Sequence, residues 1–412
     1  MSGAARRVGQ SLAVAVTCAY GAILTAQPAI APIPAVPTGD ERSTLRLASN
    51  GDVTLTLGGY LQVDGRILSG TLASSQDGLL LRRARLIFDA RMANGVHMRL
   101  QPDFGQGRVV VQDAFIGYDR ALGSIRIGRF RPAYGVERSQ SSATLLHGER
   151  SLANSLMPSR SFGAQASATR GTMTLTLGGF HTALNTGAPA ADTDGDLDAV
   201  DGTGYDGLVR LSWDTRRGQQ YRQAQVAVLA GKEKGEAGAT GLSRLLTVGQ
   251  QPLLAFRDDG TANGTAVADG GRQRVLVGGL VGDHRFVTSI EGAVLAQHAR
   301  LGVPLRATSA AVVWRAAYVL GGTRRPTQEI VPSGPRGALD VGVRAGSLGA
   351  WGEALPTLIT GRSGTHALSG GAALGWVPTV LTRVSLAYDY TFGRTRRAIR
   401  EHFLLLRVQQ SF

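Results

Sequence analysis

The chain is poor in thiols, in lysine and in aromatic rings. It has 412 residues with one cysteine and 6% aromatics, and its only lysines are Lys232 and Lys234. Cys18 lies in an N-terminal segment that reads as a leader, so the mature chain has neither a disulfide nor a thiolate metal site. A mean hydropathy of zero with 56 glycines excludes a helical membrane bundle, which would need apolar runs of ~20 residues. No GxSxG elbow and no HExxH helix is present. His147 stands near Ser139 and Ser151, but with seven histidines in the chain such proximity is expected by chance, and catalysis is not expected. The net charge of +14, lowered by two if Arg6 and Arg7 leave with the leader, comes without a basic helix, an RNA-binding signature or zinc spacing. Nucleic acid is therefore not the expected partner.

What the chain does have is alternation. Val53, Leu55, Leu57, Leu61 and Val63 interleave with Thr54, Thr56, Gln62 and Asp64, a period of two that marks a strand with one apolar face. The pattern returns at Met173–Phe180, Val209–Trp213, Val226–Ala230, Val312–Leu320, Val384–Tyr390 and Leu404–Phe412. About sixteen such runs, averaging about ten to twelve residues, have the length of tilted strands crossing a bilayer. Short turns (Ala93–Gly95, Asp119–Gly123, Arg170–Gly171, Gly282–Asp283, Pro378–Thr379) are distinct from long polar loops (Asn185–Thr203, Glu233–Gly271, Gly321–Arg336, Gly349–Thr365). Short turns on one rim and long loops on the other predict an all-β transmembrane antiparallel barrel of about 16 strands, occupying residues 53–412. The pairs Gly58-Gly59, Gly178-Gly179 and Gly278-Gly279 read as bends of the wall, since no helix follows to make a phosphate cradle.

One hairpin fixes a register. A two-residue Asn94-Gly95 turn would set Arg91 opposite Met98 and mix the faces. A three-residue turn with Gly95 left-handed keeps them apart and sets Asp89 opposite Arg99 and Arg85 opposite Asp103. In this register Arg82 falls on the lipid face, at a rim where it can snorkel.

The stretch Gly128–Arg160 breaks the alternation with a loop much longer than a hairpin needs. It carries Arg129, Arg131, Arg138, Arg150 and Arg160 against Glu137 and Glu149. A loop of this kind in a strand-only chain predicts an inward-folded, pore-constricting segment over residues 132–160. Alternation adds Arg83, Arg85, Arg91, Arg99 and Arg126 to the lumen, with Arg66, Arg210, Arg315, Arg383 and Arg407 as further inward positions. Each of these reads individually as a wall arginine paired with a neighbouring acid; together they outnumber the inward acids, and a positive lumen favours anions.

Residues 1–31 read as a secretory signal and 32–52, with Pro32, Pro34 and Pro37, as a periplasmic linker. Asp192–Asp201 looks like a calcium loop but lacks the glycine at Leu197 and the closing glutamate at Thr203, so it reads as a solvated loop, and no metal or cofactor is expected. Phe412 ends an alternating strand, the form expected of a chain handed to outer-membrane assembly machinery.

LLLRRARLIFDARM, QDAFIGYD, IRIGRFRPAYGVERSQSS, HGERSLANSLMPSRSFGAQ and LLLRVQQSF together resemble the phosphate-selective porin O and P family, most clearly over Leu79–Gln165. The resemblance implies a sixteen-stranded barrel, usually trimeric, in the bacterial outer membrane, with a third loop narrowing a pore for anions such as phosphate or polyphosphate. It places Arg83 and Arg85 in the family's RRAR strand and Arg129, Arg131 and Glu137 in the motif entering the loop. The chain departs from the family in having no lysine near that loop, so anion preference is better supported than phosphate specificity. A general diffusion porin, an outer-membrane enzyme and a secreted β-sandwich binding polyanions are the other readings. They differ in the pairing of lumen arginines, in a clustered catalytic set at the rim, and in the lack of an apolar outer band.

Overall fold

The computed structural model describes residues 44–71, 77–107, 109–181, 191–192, 196–197, 203–218, 220–242, 244–321, 337–352, 355, 365–394 and 398–412. The leader, most of the linker and most of the Asp192–Asp201 segment lie outside them.

Sixteen long strands make the wall. They are β1 Val53–Gly70, β2 Gly78–Met92, β3 Val96–Asp103, β4 Val110–Arg120, β5 Gly123–Phe130, β6 Ser161–Arg170, β7 Met173–His181 and β8 Thr203–Arg217. The second half is β9 Gln220–Lys234, β10 Val267–Gly282, β11 Phe286–Leu301, β12 Val303–Leu320, β13 Leu339–Trp351, β14 His366–Trp376, β15 Thr382–Arg394 and β16 Ala398–Ser411. Each pairs antiparallel with its sequence neighbours, and β1 pairs with β16 from Tyr60↔Ser411 to Gly70↔Glu401, so the sheet closes on itself. Phe412 completes the seam by exchanging backbone hydrogen bonds with Gly59 at 3.1 and 3.2 Å. A Cβ on Gly59 would stand 2.5 Å from the Phe412 ring and 2.4 Å from the Arg85 carbonyl, so only glycine fits there.

The alternation sorts the faces. Along β9, Val226 and Val228 are exposed while Gln223, Gln225, Ala227 and Leu229 are buried. Exposed Ile116, Ile127, Val209, Val277, Ile290 and Val312 continue the apolar band around the outside. All four tryptophans (Trp213, Trp314, Trp351 and Trp376) are exposed on that face, as aromatic residues of a membrane barrel are.

The register worked out for β2 and β3 holds. Gly95 has φ +94°, and Asp89↔Arg99 and Arg85↔Asp103 are direct partners, closed as ion pairs at 2.8 and 2.6 Å. Three expectations are corrected. The pairing of β1 with β2 slips between Gln62↔Arg83 and Val63↔Leu81, so the extra residue, Arg82, bulges; it turns inward and is buried instead of snorkelling on the lipid side. Thr44–Ser49 is a strand paired to Thr54–Gly58, below the point where β16 ends, and is therefore not linker. The connection from Leu320 to Leu339 leaves and re-enters the wall on the short-turn rim, and a single residue, Gly302, links β11 to β12 on the other. Loop length therefore separates the rims less cleanly than the sequence predicted.

Candidate pore lining and constriction loop

The loop between β5 and β6 is both a hydrophobic plug and a polar one. Tyr134, Val136, Leu146, Leu152, Leu156 and Met157 are buried against inward residues of the wall, among them Leu208, Leu229, Leu276, Leu280 and Val313. Those apolar residues sit on the inner face because the loop covers them. Apolar runs on both faces, such as Val275–Val281 and Val312–Leu320, were the sequence signal for a wall covered on both sides. Gly148, with φ +77°, lets the loop tip lie against β16; a Cβ there would stand 2.2 Å from Leu405 Cδ2.

A buried carboxylate needs partners, and Glu149 has them from three strands. Arg82 donates from Nε (2.7 Å) and Nη2 (3.1 Å), Arg66 from Nη2 (2.8 Å) and Arg407 from Nη2 (3.1 Å), with Arg83 at 3.9 Å. Arg407 also holds Asp64 with two 2.7 Å bonds and the Gly148 carbonyl at 2.6 Å. Arg344 takes Asp389 with two 2.7 Å bonds and the Glu149 carbonyl at 2.6 Å. Burial works to raise the Glu149 pKa, but Arg82, Arg66 and Arg83 outweigh it and hold the carboxyl well below its usual range. Farther up the loop, Glu137 accepts from the Ser151 backbone N–H at 3.0 Å and pairs with Arg315 at 3.3 Å. Burial raises its pKa; Arg315, the Ser151 hydrogen bond and Arg150 bring it below the ordinary value. His147 is held neutral, its pKa far down through burial beside Arg344 and Arg315. Glu291 of β11 receives the Val136 and Glu137 backbone N–H groups, and Ser142 takes Arg85 at 2.8 Å and Tyr60 at 3.0 Å.

The ten arginines expected along the pore therefore divide by task. Arg83 and Arg85 are buried under the loop tip. Arg131 donates to the carbonyls of Arg138 (2.8 Å) and Gln140 (3.2 Å), Arg138 to Pro158 (2.9 Å), and Arg150 to Glu137 and Gln140; these three staple the loop to itself. Arg160 pairs with Asp113 at 2.7 Å. Arg129 is on the outer face, opposite Ala114 and level with exposed Ile127, with its guanidinium over Phe162 and bonded to the Val111 carbonyl. The alternation in IRIGRF assigns Arg126 to the inside and Arg129 to the outside, and the loop motif concealed that parity. Arg91, Arg99 and Arg126 face inward on β2, β3 and β5. Arg99 is paired with Asp89; Arg126 lies over Phe115, its Nε without a hydrogen-bond partner. Arg210 of β8 joins this sector through a 2.6 Å bond to Gln225.

A second inward segment was missed. Leu245–Leu246 and Pro252–Leu254 form a small hairpin inside the barrel, with Leu245, Val248, Leu253 and Leu254 buried. Glu401 of β16 accepts from Thr247 Oγ1 (2.6 Å) and the Gly249 N–H (3.1 Å), and Ser155 of the first loop accepts from the Leu246 N–H at 3.1 Å. The sequence signal was the LLTVGQQPLL pattern, two leucine pairs about a turn, within a segment assigned to polar loop.

A family model described as phosphate-selective porin O and P matches residues 56–391. Among solved structures, the outer membrane channel DcaP of Acinetobacter baumannii superposes with a TM-score of 0.57 at 12% identity, over 89% of this chain and 99% of that one. An anion-selective porin from Comamonas acidovorans gives 0.53 at 11% identity, over 88% and 100%. The trimer form of OmpT of Vibrio cholerae gives 0.50 at 11% identity, over 88% and 100%. No curated protein sequence matches the chain.

Proposed function

The chain belongs to the phosphate-selective porin O and P family and is an outer-membrane channel protein; from that premise we propose that it passes small anions, selected by those lumen arginines that the loop does not engage. The observation that carries the reading is the interior charge. Among the described residues fourteen arginines are buried against ten aspartates and glutamates. A low-dielectric lumen with such an excess raises the local anion concentration and opposes cations. Arg66, Arg82, Arg83, Arg407 and Arg344 hold the loop, and Arg131, Arg138 and Arg150 brace it. The selectivity then falls to Arg91, Arg126 and Arg210 on the sector between β2 and β8, with Arg126 the least engaged.

The test is the zero-current potential of the purified protein in a planar bilayer under a salt gradient. Anion preference that falls in Arg126→Gln and Arg210→Gln, and is unchanged in Arg129→Gln on the outer face, supports the assignment. A weak or cation preference in the wild-type protein would mean that the interior carboxylates cancel the arginines, which is the general-diffusion reading. Block of chloride current by added phosphate tests phosphate as the preferred anion. A trimer, as in the OmpT trimer form, is the assembly we propose; its check is the mass of the detergent-solubilised protein.

A further inference from the structure

The only two lysines of the chain stand on the same outer face of one strand. Lys232 and Lys234 of β9 are both exposed, two residues apart near the long-loop rim. Lys232 pairs in register with Tyr205 on one side and Gly271 on the other. The β10–β11 ladder slips between Ala268 and Arg272, which brings Gly270 and Gly271 beside His298. A Cβ on Gly270 would stand 3.2 Å from His298 Nδ1, whereas one on Gly271 would meet nothing within 4 Å, so the floor between Lys232 and His298 is open. His298 in turn pairs with Arg306 of β12, and both are exposed. Tyr205, Lys232, Gly271, His298 and Arg306 thus form one level row across five adjacent strands, with Lys234 and Arg300 just above it.

The charge is one-sided. Asp269, paired with Arg300 at 3.0 Å, is the acid within the patch, and Glu236 lies beyond it in the loop. Lys232, Lys234, His298 and Arg306 have no ion-pair partner among the described residues. Directly toward the middle of the wall the same outward positions turn apolar: Val226 and Val228 on β9, Val275 and Val277 on β10, Val294 on β11 and Val312 on β12, all exposed. The distance from Lys232 down to Val228 is roughly 13 Å along the strand and, for a tilted strand, about 10 Å along the membrane normal, about the step from headgroup to acyl chain.

We propose that this row is a binding site for a phosphorylated lipid headgroup of the surrounding membrane leaflet, the phosphate seated between Lys232, His298 and Arg306 over Gly271 and the acyl chains lying on the valine band below. A basic row alone would suit any anion. The valine band beneath it commits the site to an amphiphile, since a free anion gains nothing from it. Lysine and arginine near an anionic headgroup each strengthen binding by about fivefold. Removing Lys232, Lys234 and Arg306 together should therefore weaken it by roughly a hundredfold.

The experiment is a lipid titration of the full chain in mild detergent, followed by native mass spectrometry, with lipid A as the probe. The expected result is saturable binding that weakens with salt, is lost in the Lys232→Gln/Lys234→Gln/Arg306→Gln variant, and persists in Arg129→Gln/Arg400→Gln, which alters outward or rim arginines elsewhere. Equal binding by the triple variant would overturn the proposal. So would equal binding of dephosphorylated lipid A, which would reduce the site to acyl contact, or full displacement by millimolar inorganic phosphate, which would make it a free-anion site. Single-channel conductance of the triple variant should match wild type, separating a lost lipid site from a misfolded barrel.

Discussion

Substituting Glu149→Gln probes how the loop is held. The change keeps the shape of the side chain and removes its charge, leaving Arg66, Arg82, Arg83 and Arg407 with Asp64 as the remaining carboxylate in that cluster. Breaking a buried ion pair on one side costs about 3–5 kcal/mol, because the abandoned charge has no solvent to turn to. Some of this is recovered here, since the Glu149 backbone carbonyl still accepts from Arg344 and Gly148 still accepts from Arg407. A loss of about 3 kcal/mol in docking of the loop tip is therefore expected, or roughly a hundredfold in its opening equilibrium. The chain's single cysteine is Cys18, so a Thr144→Cys probe expressed without residues 1–31 carries a unique thiol. Thr144 is buried, and maleimide labelling reads the fraction of time it is exposed. Labelling should accelerate roughly a hundredfold in Glu149→Gln. It should slow again in Glu149→Gln/Arg82→Gln, where a like charge has also been removed. A labelling rate unchanged from wild type would refute the claim that Glu149 carries the docking energy.

Gly148→Ala should also free the loop tip, by about 1–3 kcal/mol, through a strained backbone and the collision with Leu405; the same labelling rate measures it. Docking should be pH-dependent in two steps. His147 is kept neutral in the docked loop by burial and by Arg344 and Arg315. The undocked loop therefore binds the extra proton, and docking should weaken as pH falls below about 6.5. Glu137 and Glu149 have depressed pKa values when docked, so their contribution is fully present above the usual carboxylate range and is lost as pH falls through their lower docked values. His147→Asn should abolish the first step and leave the second; a single acid transition in both proteins would contradict the assignment.

The barrel was legible because a membrane wall must repeat its pattern. Each strand presents one face to lipid, so Val226 and Val228, or Leu404 and Leu406, declare themselves by parity alone. The β2–β3 register was legible because Gly95 allows one turn and the charge pairs confirm it. Parity failed where backbone irregularity resets it. The extra residue at Arg82 inverts the inference for that side chain, and nothing local in LLLRRARL marks which arginine is the bulged one. Parity also says nothing of what lies over the inner face. Arg85, Arg99 and Arg160 pair with wall acids that parity could suggest, but the partners of Arg131, Arg138 and Arg150 are loop carbonyls, and those contacts depend on the fold of residues 131–160. The Leu245–Leu254 hairpin was missed for the same reason: its apolar residues are buried by a wall far away in sequence.

The scarcity of lysine has a structural consequence whatever its origin. Arg344 closes both edges of its guanidinium at once, with Nε and Nη2 on Asp389 of the wall and Nη1 on the Glu149 carbonyl of the loop. Arg407 does the same between Asp64 and the Gly148 carbonyl. Each fastens loop to wall while its own charge is neutralised by the wall acid, a task that needs donors pointing in two fixed directions from one rigid plane. A lysine ammonium can satisfy the acid or the carbonyl from a single point, but it does not hold the two at a set separation. The docking arginines are accordingly poor candidates for the selective charge: each is already closed against a carboxylate and shielded by the loop. Under the proposed anion selectivity, the lumen potential comes from arginines whose acids are shared or absent. That is why Arg126, with its open Nε, is the residue whose neutralisation should move selectivity, although it lies outside the inward-folded loop.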